Sequence, residues 1–126
     1  MKMIMIVDDE PDQIYVVKTI LERNGDYNVI VAHSGQECFD LLERGKQPDL
    51  ILLDLMMPGM NGWDVFHTLK KRDSPWNDIP IIFLTADSTN DSREAGERYG
   101  EDYIEKPMDG NELKQRIEQV LDKKYI

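Results

Sequence analysis

The run Leu50-Ile51-Leu52-Leu53 is apolar at every position and stops abruptly at Asp54. Successive side chains of a strand point to opposite faces, so such a run needs cover on both sides of its sheet. That requirement rules out a sheet with one wet face and calls for helices above and below. Four further apolar runs lie at suitable spacing: Lys2 to Val7, Tyr27 to Ala32, Ile79 to Leu84, and a short one around Asp102 to Ile104. Segments of helical character separate them and follow the last. Strands alternating with helices in this way form βαβ units, hence a parallel sheet in an α/β fold.

The helical segments carry their own start and stop signals. Pro11 suits the first position of a helix, where its missing N–H has no partner to lose. Ile14, Val17, Ile20 and Leu21 then share one side, and Asn24-Gly25 stops the segment. Ser34 with Glu37 is a capping-box pattern opening a helix with Cys38, Leu41 and Leu42 inward, and Gly45 closes it. After the loop of residues 55–62, a third helix buries Val65, Phe66 and Leu69. The fourth, Asp87 to Tyr99, is the weakest, with only Ala95 and Tyr99 as evident inward residues and Gly96 inside it. The fifth starts at Asp109, with Glu112 in box register, and buries Leu113, Ile117, Val120 and Leu121. Lys123 and Lys124 in its last turn favour the helix dipole.

The 126 residues fit one domain, and no internal repeat or linker interrupts them, so a single unit over 1–126 without an output domain is expected. A formal charge of −10, from 25 acidic and 15 basic residues, argues against non-specific nucleic-acid binding and against docking on an anionic membrane. No stretch approaches the roughly 20 apolar residues of a membrane span. The N-terminal apolar run is too short for a signal peptide's core. The lone Cys38 permits no intrachain disulfide and reads as a small apolar side chain. The natural expectation is a soluble cytoplasmic protein. His33 and His67 have no partner pattern for metal or catalysis and read as surface residues.

Ligands of open parallel sheets bind beyond the carboxyl ends of the strands. This sequence puts Asp8, Asp9 and Glu10 after the first strand, Asp54 after the third, Thr85 at the end of the fourth and Lys106 just after the fifth. If the first and third strands are neighbours, the carboxylates converge and call for a hard cation. Mg²⁺ suits oxygen ligands and commonly joins protein carboxylates to a phosphate. One carboxylate then serves as nucleophile, since aspartate can form an acyl phosphate. Asp54 is the choice because it tops the most buried strand and leaves Asp8 and Asp9 together as ligands. Thr85 and Lys106 supply a hydroxyl and an ammonium for phosphoryl oxygens.

Taken together, the Asp8-Asp9 pair, Asp54 followed by Met57-Pro58-Gly59-Met60-Asn61-Gly62, Thr85-Ala86 and Lys106-Pro107 resemble a response-regulator receiver domain from end to end. Each piece alone is weak; their joint order at strand ends is specific. The resemblance implies a flavodoxin-like, doubly wound (βα)5 fold with strand order 2-1-3-4-5. It implies phosphorylation of Asp54 in a two-component, His-to-Asp phosphorelay, with a histidine kinase or phosphotransfer protein as donor and a downstream protein target. Mg²⁺ or Mn²⁺ would be bound by Asp9, Asp54 and the backbone carbonyl of Met56, with Asp8 assisting through water. Such a receiver is no turnover enzyme; it catalyses only its own phosphotransfer and dephosphorylation, as a monomer or a weak phosphorylation-dependent dimer.

The resemblance further implies that Thr85 and Tyr103 form the switch, Thr85 moving to the phosphate and Tyr103 turning inward. The surface of the fourth helix, fifth strand and last helix then changes. The poorly amphipathic fourth helix suits a segment that shifts cheaply. A cis peptide between Lys106 and Pro107 is also implied. Met56 and Asp87 stand where the family tunes phosphate lifetime; an apolar Met56 cannot orient water, which points to slow dephosphorylation.

Other readings compete. Acidic clusters commonly lie on solvated faces, and Tyr103 can be an ordinary core aromatic. A flavodoxin-like cofactor carrier shares the fold class, but here the loop after the first strand is acidic. A P-loop enzyme lacks its motif. An aspartyl-phosphate hydrolase needs a second Asp where Met56 stands. A receiver-fold adaptor that binds partners without phosphorylation remains the main alternative.

Overall fold

In the computed structural model, which describes residues 1–124, the both-face apolar run sits at the centre of a parallel sheet. The strands are β1 (Met3–Val7), β2 (Asn28–Ala32), β3 (Leu50–Leu53), β4 (Ile81–Thr85) and β5 (Asp102–Glu105). The helices are α1 (Pro11–Glu22), α2 (Gly35–Glu43), α3 (Gly62–Leu69), α4 (Asn90–Tyr99) and α5 (Gly110–Lys124). The five strands are ordered β2-β1-β3-β4-β5 and all pairs are parallel, as expected.

Alternation along β3 divides the interior into two layers. Leu50 and Leu52 join Ile4, Ile6, Ile82, Leu84 and Ile104 beneath α1 and α5, whose Ile14, Val17, Leu21, Leu113, Ile117, Val120 and Leu121 close that layer. Ile51 and Leu53 face the other way, with Met5, Val7, Ile81, Phe83 and Tyr103, against Cys38 and Leu42 of α2 and Val65, Phe66 and Leu69 of α3. No β3 side chain is more than 1% exposed, and full burial of each contributes about 1.5–3 kcal/mol. Burial pushes the Cys38 thiol up to about 12, which leaves it an inert packing group.

The helix ends follow local chemistry. Pro11 opens α1, and Asn24 and Gly25 close the turn after it at φ 62° and 70°. At α2 only half of the expected box forms. The Ser34 hydroxyl accepts from the Glu37 amide at 3.1 Å, but the Glu37 carboxylate turns to His33 Nδ1. The complete box is at α3, where Asn61 and Asp64 accept from each other's amides at 3.0 and 3.2 Å.

One packing expectation is overturned in α4. Tyr99 is 59% exposed and Ala95 only half-buried, while the buried residue of the helix is Gly96. Aromatic rings of the sheet come up to the bare glycine backbone, so the bulk at this contact belongs to the sheet. The helix also begins at Asn90 rather than Asp87, because the Thr89 hydroxyl caps it by accepting from the Ser92 amide at 3.3 Å. Among the described residues, no helix is long and apolar enough to cross a membrane.

Candidate functional site

The sheet ladder continues one residue past the strands and thereby aims the acidic residues. The Asp54 amide donates to the Val7 carbonyl at 3.0 Å and the Asp8 amide to the Ala32 carbonyl at 3.1 Å. Asp8 and Asp54 therefore leave neighbouring strands side by side. The Lys106 amide donates to the Thr85 carbonyl at 2.8 Å, which brings the β5 exit to the same edge. The Lys106–Pro107 peptide is cis.

One oxygen from each of Asp8, Asp9 and Asp54 lies within 4.8 Å of the others. Asp8 and Asp54 are buried, Asp9 half-buried. Local amides hold two of them: Asp8 Oδ1 accepts from the Glu10 amide and Asp54 Oδ1 from the Met56 amide, both at 3.0 Å. Asp9 Oδ1 is buried without a hydrogen-bond partner. An orphaned carboxylate oxygen beside two more carboxylates is a costly arrangement that a hard cation would relieve. The donor set fits Mg²⁺ or Mn²⁺.

Lys106 Nζ lies 2.5 Å from Asp8 Oδ2 and 3.5 Å from Asp54 Oδ2, all three side chains being almost entirely buried. Burial raises the Asp54 pKa above the ordinary carboxylate value, opposed by the Met56 amide, Lys106 and the Thr85 hydroxyl, while the Asp8 charge adds to the rise. Around Asp54 opens a cleft of about 440 Å³ lined by Glu10, Gln13, Met56, Ala86, Lys106 and Pro107. Met56 stands 58% exposed at its rim.

Thr85 is fully buried, and its hydroxyl accepts from the Asp87 amide at 3.2 Å. Tyr103 is fully buried too, and its hydroxyl donates to the Asp87 carbonyl at 2.5 Å. Burial, followed by the charges of Asp87 and Glu105, pushes the Tyr103 phenol up to about 12, so it remains a donor at neutral pH. The backbone of Asp87 thus joins Thr85 to Tyr103. Its carboxylate accepts from the Thr89 amide and hydroxyl and from the Ser92 hydroxyl, which fixes the start of α4.

Asp8, Asp9, Asp54, Thr85 and Lys106 therefore meet at one edge of the sheet, with Tyr103 one layer behind Thr85. The start of α3 supports Asp54 through residues that carry no chemistry themselves. A Cβ on Gly62 would lie 2.3 Å from the Asp54 carbonyl oxygen, so this glycine lets α3 start against the backbone that carries Asp54. Asn61 and Asp64 fix that start; their Asn-x-x-Asp spacing was a readable signal.

The family model for the response regulator receiver domain matches residues 4–118. The chain belongs to the response regulator receiver family. Among curated relatives, transcriptional regulatory protein CpxR of Escherichia coli is 39% identical, over 96% of this chain and 50% of CpxR. Protein PilH of Pseudomonas aeruginosa is 36% identical, over 96% of this chain and 98% of PilH. The chain thus spans about half the length of CpxR and nearly all of PilH. Among solved structures, the receiver domain of Francisella response regulator 1452 superposes with a TM-score of 0.85 at 27% identity, covering 98% of both chains. Response regulator TrrA of Thermotoga maritima, solved in complex with Mg²⁺ and BeF, gives 0.81 at 32% identity, covering 95% of this receiver and 99% of TrrA.

Proposed function

We propose that this receiver accepts a phosphoryl group on Asp54 in a Mg²⁺-dependent (or Mn²⁺-dependent) reaction, as one step of a His-to-Asp phosphorelay in the cytoplasm. The observation that carries the reading is the convergence of Asp8, Asp9 and Asp54 around an orphaned oxygen, with Lys106 alongside. Asp9, Asp54 and the Met56 carbonyl would hold the cation, with Asp8 assisting through water. Once bound, it offsets the repulsion between the Asp54 carboxylate and an incoming phosphoryl group.

Asp54 then attacks phosphorus, forming an O–P bond as the bond to the donor breaks. Lys106 turns from Asp54 to a phosphoryl oxygen, and Thr85 donates its hydroxyl to another. Movement of Thr85 toward the phosphate takes its hydroxyl from the Asp87 amide and so disturbs the residue whose carbonyl holds Tyr103. The signal leaves through Thr85 and Tyr103 to the surface of α4, β5 and α5. The donor is a histidine kinase or a phosphotransfer protein, and the output is contact with another protein. Residues 1–126 act as a single receiver unit, monomeric or weakly dimeric when phosphorylated.

Incubation with acetyl phosphate and Mg²⁺, followed by intact-mass measurement, tests the reading. A phosphoryl adduct on the wild type, lost on chelation and in Asp54→Ala, is the expected result. An unmodified wild type would favour an adaptor that binds partners without phosphorylation.

A further inference from the structure

The inward position of Tyr103 has a specific cause in α4. Gly96 is the buried residue of that helix, and the three atoms nearest to a Cβ built on it all belong to the Tyr103 ring, at 2.1, 2.8 and 3.1 Å. Gly96 is not among the residues with positive φ, so backbone freedom does not explain a glycine here. Glycine also weakens a helix interior relative to alanine. What the missing side chain provides is room. One turn on, a Cβ on Gly100 would come within 2.6 Å of Phe83, so α4 rests on two aromatic rings through bare backbone.

The remaining contacts close this space around the ring. The Tyr103 hydroxyl is tied to the Asp87 carbonyl at 2.5 Å, and the Arg93 guanidinium lies over the ring, 5.4 Å from its centroid. Arg93 is held there by Glu105 of β5 and by Glu97, one turn further along α4.

We infer that Gly96 is the positioning residue that gives Tyr103 its inward seat, and that it thereby decides whether the Thr85–Tyr103 pair transmits phosphorylation to the α4 surface. This rests on the phosphoacceptor reading of Asp54. Any larger residue at 96 expels the ring, breaks the bond to the Asp87 carbonyl and so uncouples Tyr103 from Thr85. A purely structural glycine in an ordinary helix behaves in the opposite way, since Gly96→Ala would then strengthen α4.

The test labels the full chain with 3-fluorotyrosine and assigns the Tyr103 ¹⁹F resonance by its loss in Tyr103→Phe. In the wild type this resonance should show little H₂O/D₂O solvent shift. In Gly96→Ala it should acquire the solvent shift of the exposed tyrosines, and acetyl phosphate with Mg²⁺ should not restore the buried signal. Gly96→Ala should also lower the thermal midpoint in the wild type and raise it in a Tyr103→Ala background. A buried Tyr103 signal in Gly96→Ala, or the same midpoint change in both backgrounds, overturns the inference. If Gly96→Ala does not fold alone, a Gly96→Ala/Tyr103→Ala double variant at least as stable as Tyr103→Ala supports the collision, and one less stable than Tyr103→Ala refutes it. Intact mass reports Asp54 separately. A wild type without adduct removes the phosphoacceptor reading and the transmitting role, while the seat is still judged by the resonance.

Discussion

Lys106 reaches 2.5 Å from Asp8 and 3.5 Å from Asp54, so one ammonium bridges the residues that leave β1 and β3. It occupies the same negative potential that a divalent cation would, so the two would compete for it. Removing one partner of a buried ion pair costs on the order of 3–5 kcal/mol. Lys106→Met should therefore lose about that much stability in metal-free buffer. It should also bind Mg²⁺ more tightly, since the competing charge is gone. Denaturant melts and calorimetric titration measure the two effects, and an unchanged Mg²⁺ affinity would contradict the competition.

The loop that carries Asp54 depends on Gly62. An added methyl would meet the Asp54 carbonyl oxygen at 2.3 Å and the Leu55 Cα at 2.6 Å, both of them backbone atoms that cannot swing aside. Gly62→Ala should destabilise the fold by about 1–3 kcal/mol through overpacking. The same change should weaken Mg²⁺ binding by displacing Asp54 and the neighbouring Met56 carbonyl. A wild-type urea midpoint together with wild-type metal affinity would show that α3 can start elsewhere.

The start of α4 should respond to acid through Asp87. Burial alone would raise its pKa, but bonds from the Ser92 hydroxyl and from the Thr89 amide and hydroxyl outweigh it and hold the carboxyl below its ordinary value. A group depressed on folding contributes stability that is present above its unfolded pKa and lost as pH falls through the folded one. The Thr89 and Ser92 amides should therefore exchange faster, after correction for intrinsic rates, as pH drops below the normal carboxylate range. Asp87→Asn should flatten that dependence. Protection that stays constant through the acid range in the wild type would remove Asp87 as the organising group.

Met56 stands 58% exposed over the cleft and offers no polar group to hold a water against phosphorus. Met56→Asn supplies one and should shorten the lifetime of the acyl phosphate several-fold, while the rate of its formation changes less. Decay of the adduct after removal of acetyl phosphate, followed by mass, measures this. Equal lifetimes would mean that water reaches the site by a route Met56 does not control.

Much of this arrangement was legible in the chain because its signals are local. The both-face apolar run of Leu50 to Leu53 demanded a central covered strand, and abrupt polar stops at Asp8, Asp54, Thr85 and Lys106 marked the sheet's carboxyl edge. The inward face of α4 was not legible. Apolar spacing reveals a buried face only when the helix supplies the bulk, and here Tyr103 and Phe83 supply it from the sheet to Gly96 and Gly100. Nor could spacing show that Lys106 pairs with Asp8, since 98 residues separate them. The half-formed cap at α2 has a similar origin, because Glu37 is drawn to His33, a competitor the Ser-x-x-Glu pattern does not include.

The most direct test is to locate the phosphoryl group. After incubation with acetyl phosphate and Mg²⁺, borohydride reduction converts an aspartyl phosphate to homoserine, which peptide sequencing by mass spectrometry places on the chain. Homoserine at position 54, absent when Mg²⁺ is chelated and absent in Asp54→Asn, is the predicted result. Homoserine at Asp8 or Asp9 instead, or none in the wild type, would contradict Asp54 as the acceptor.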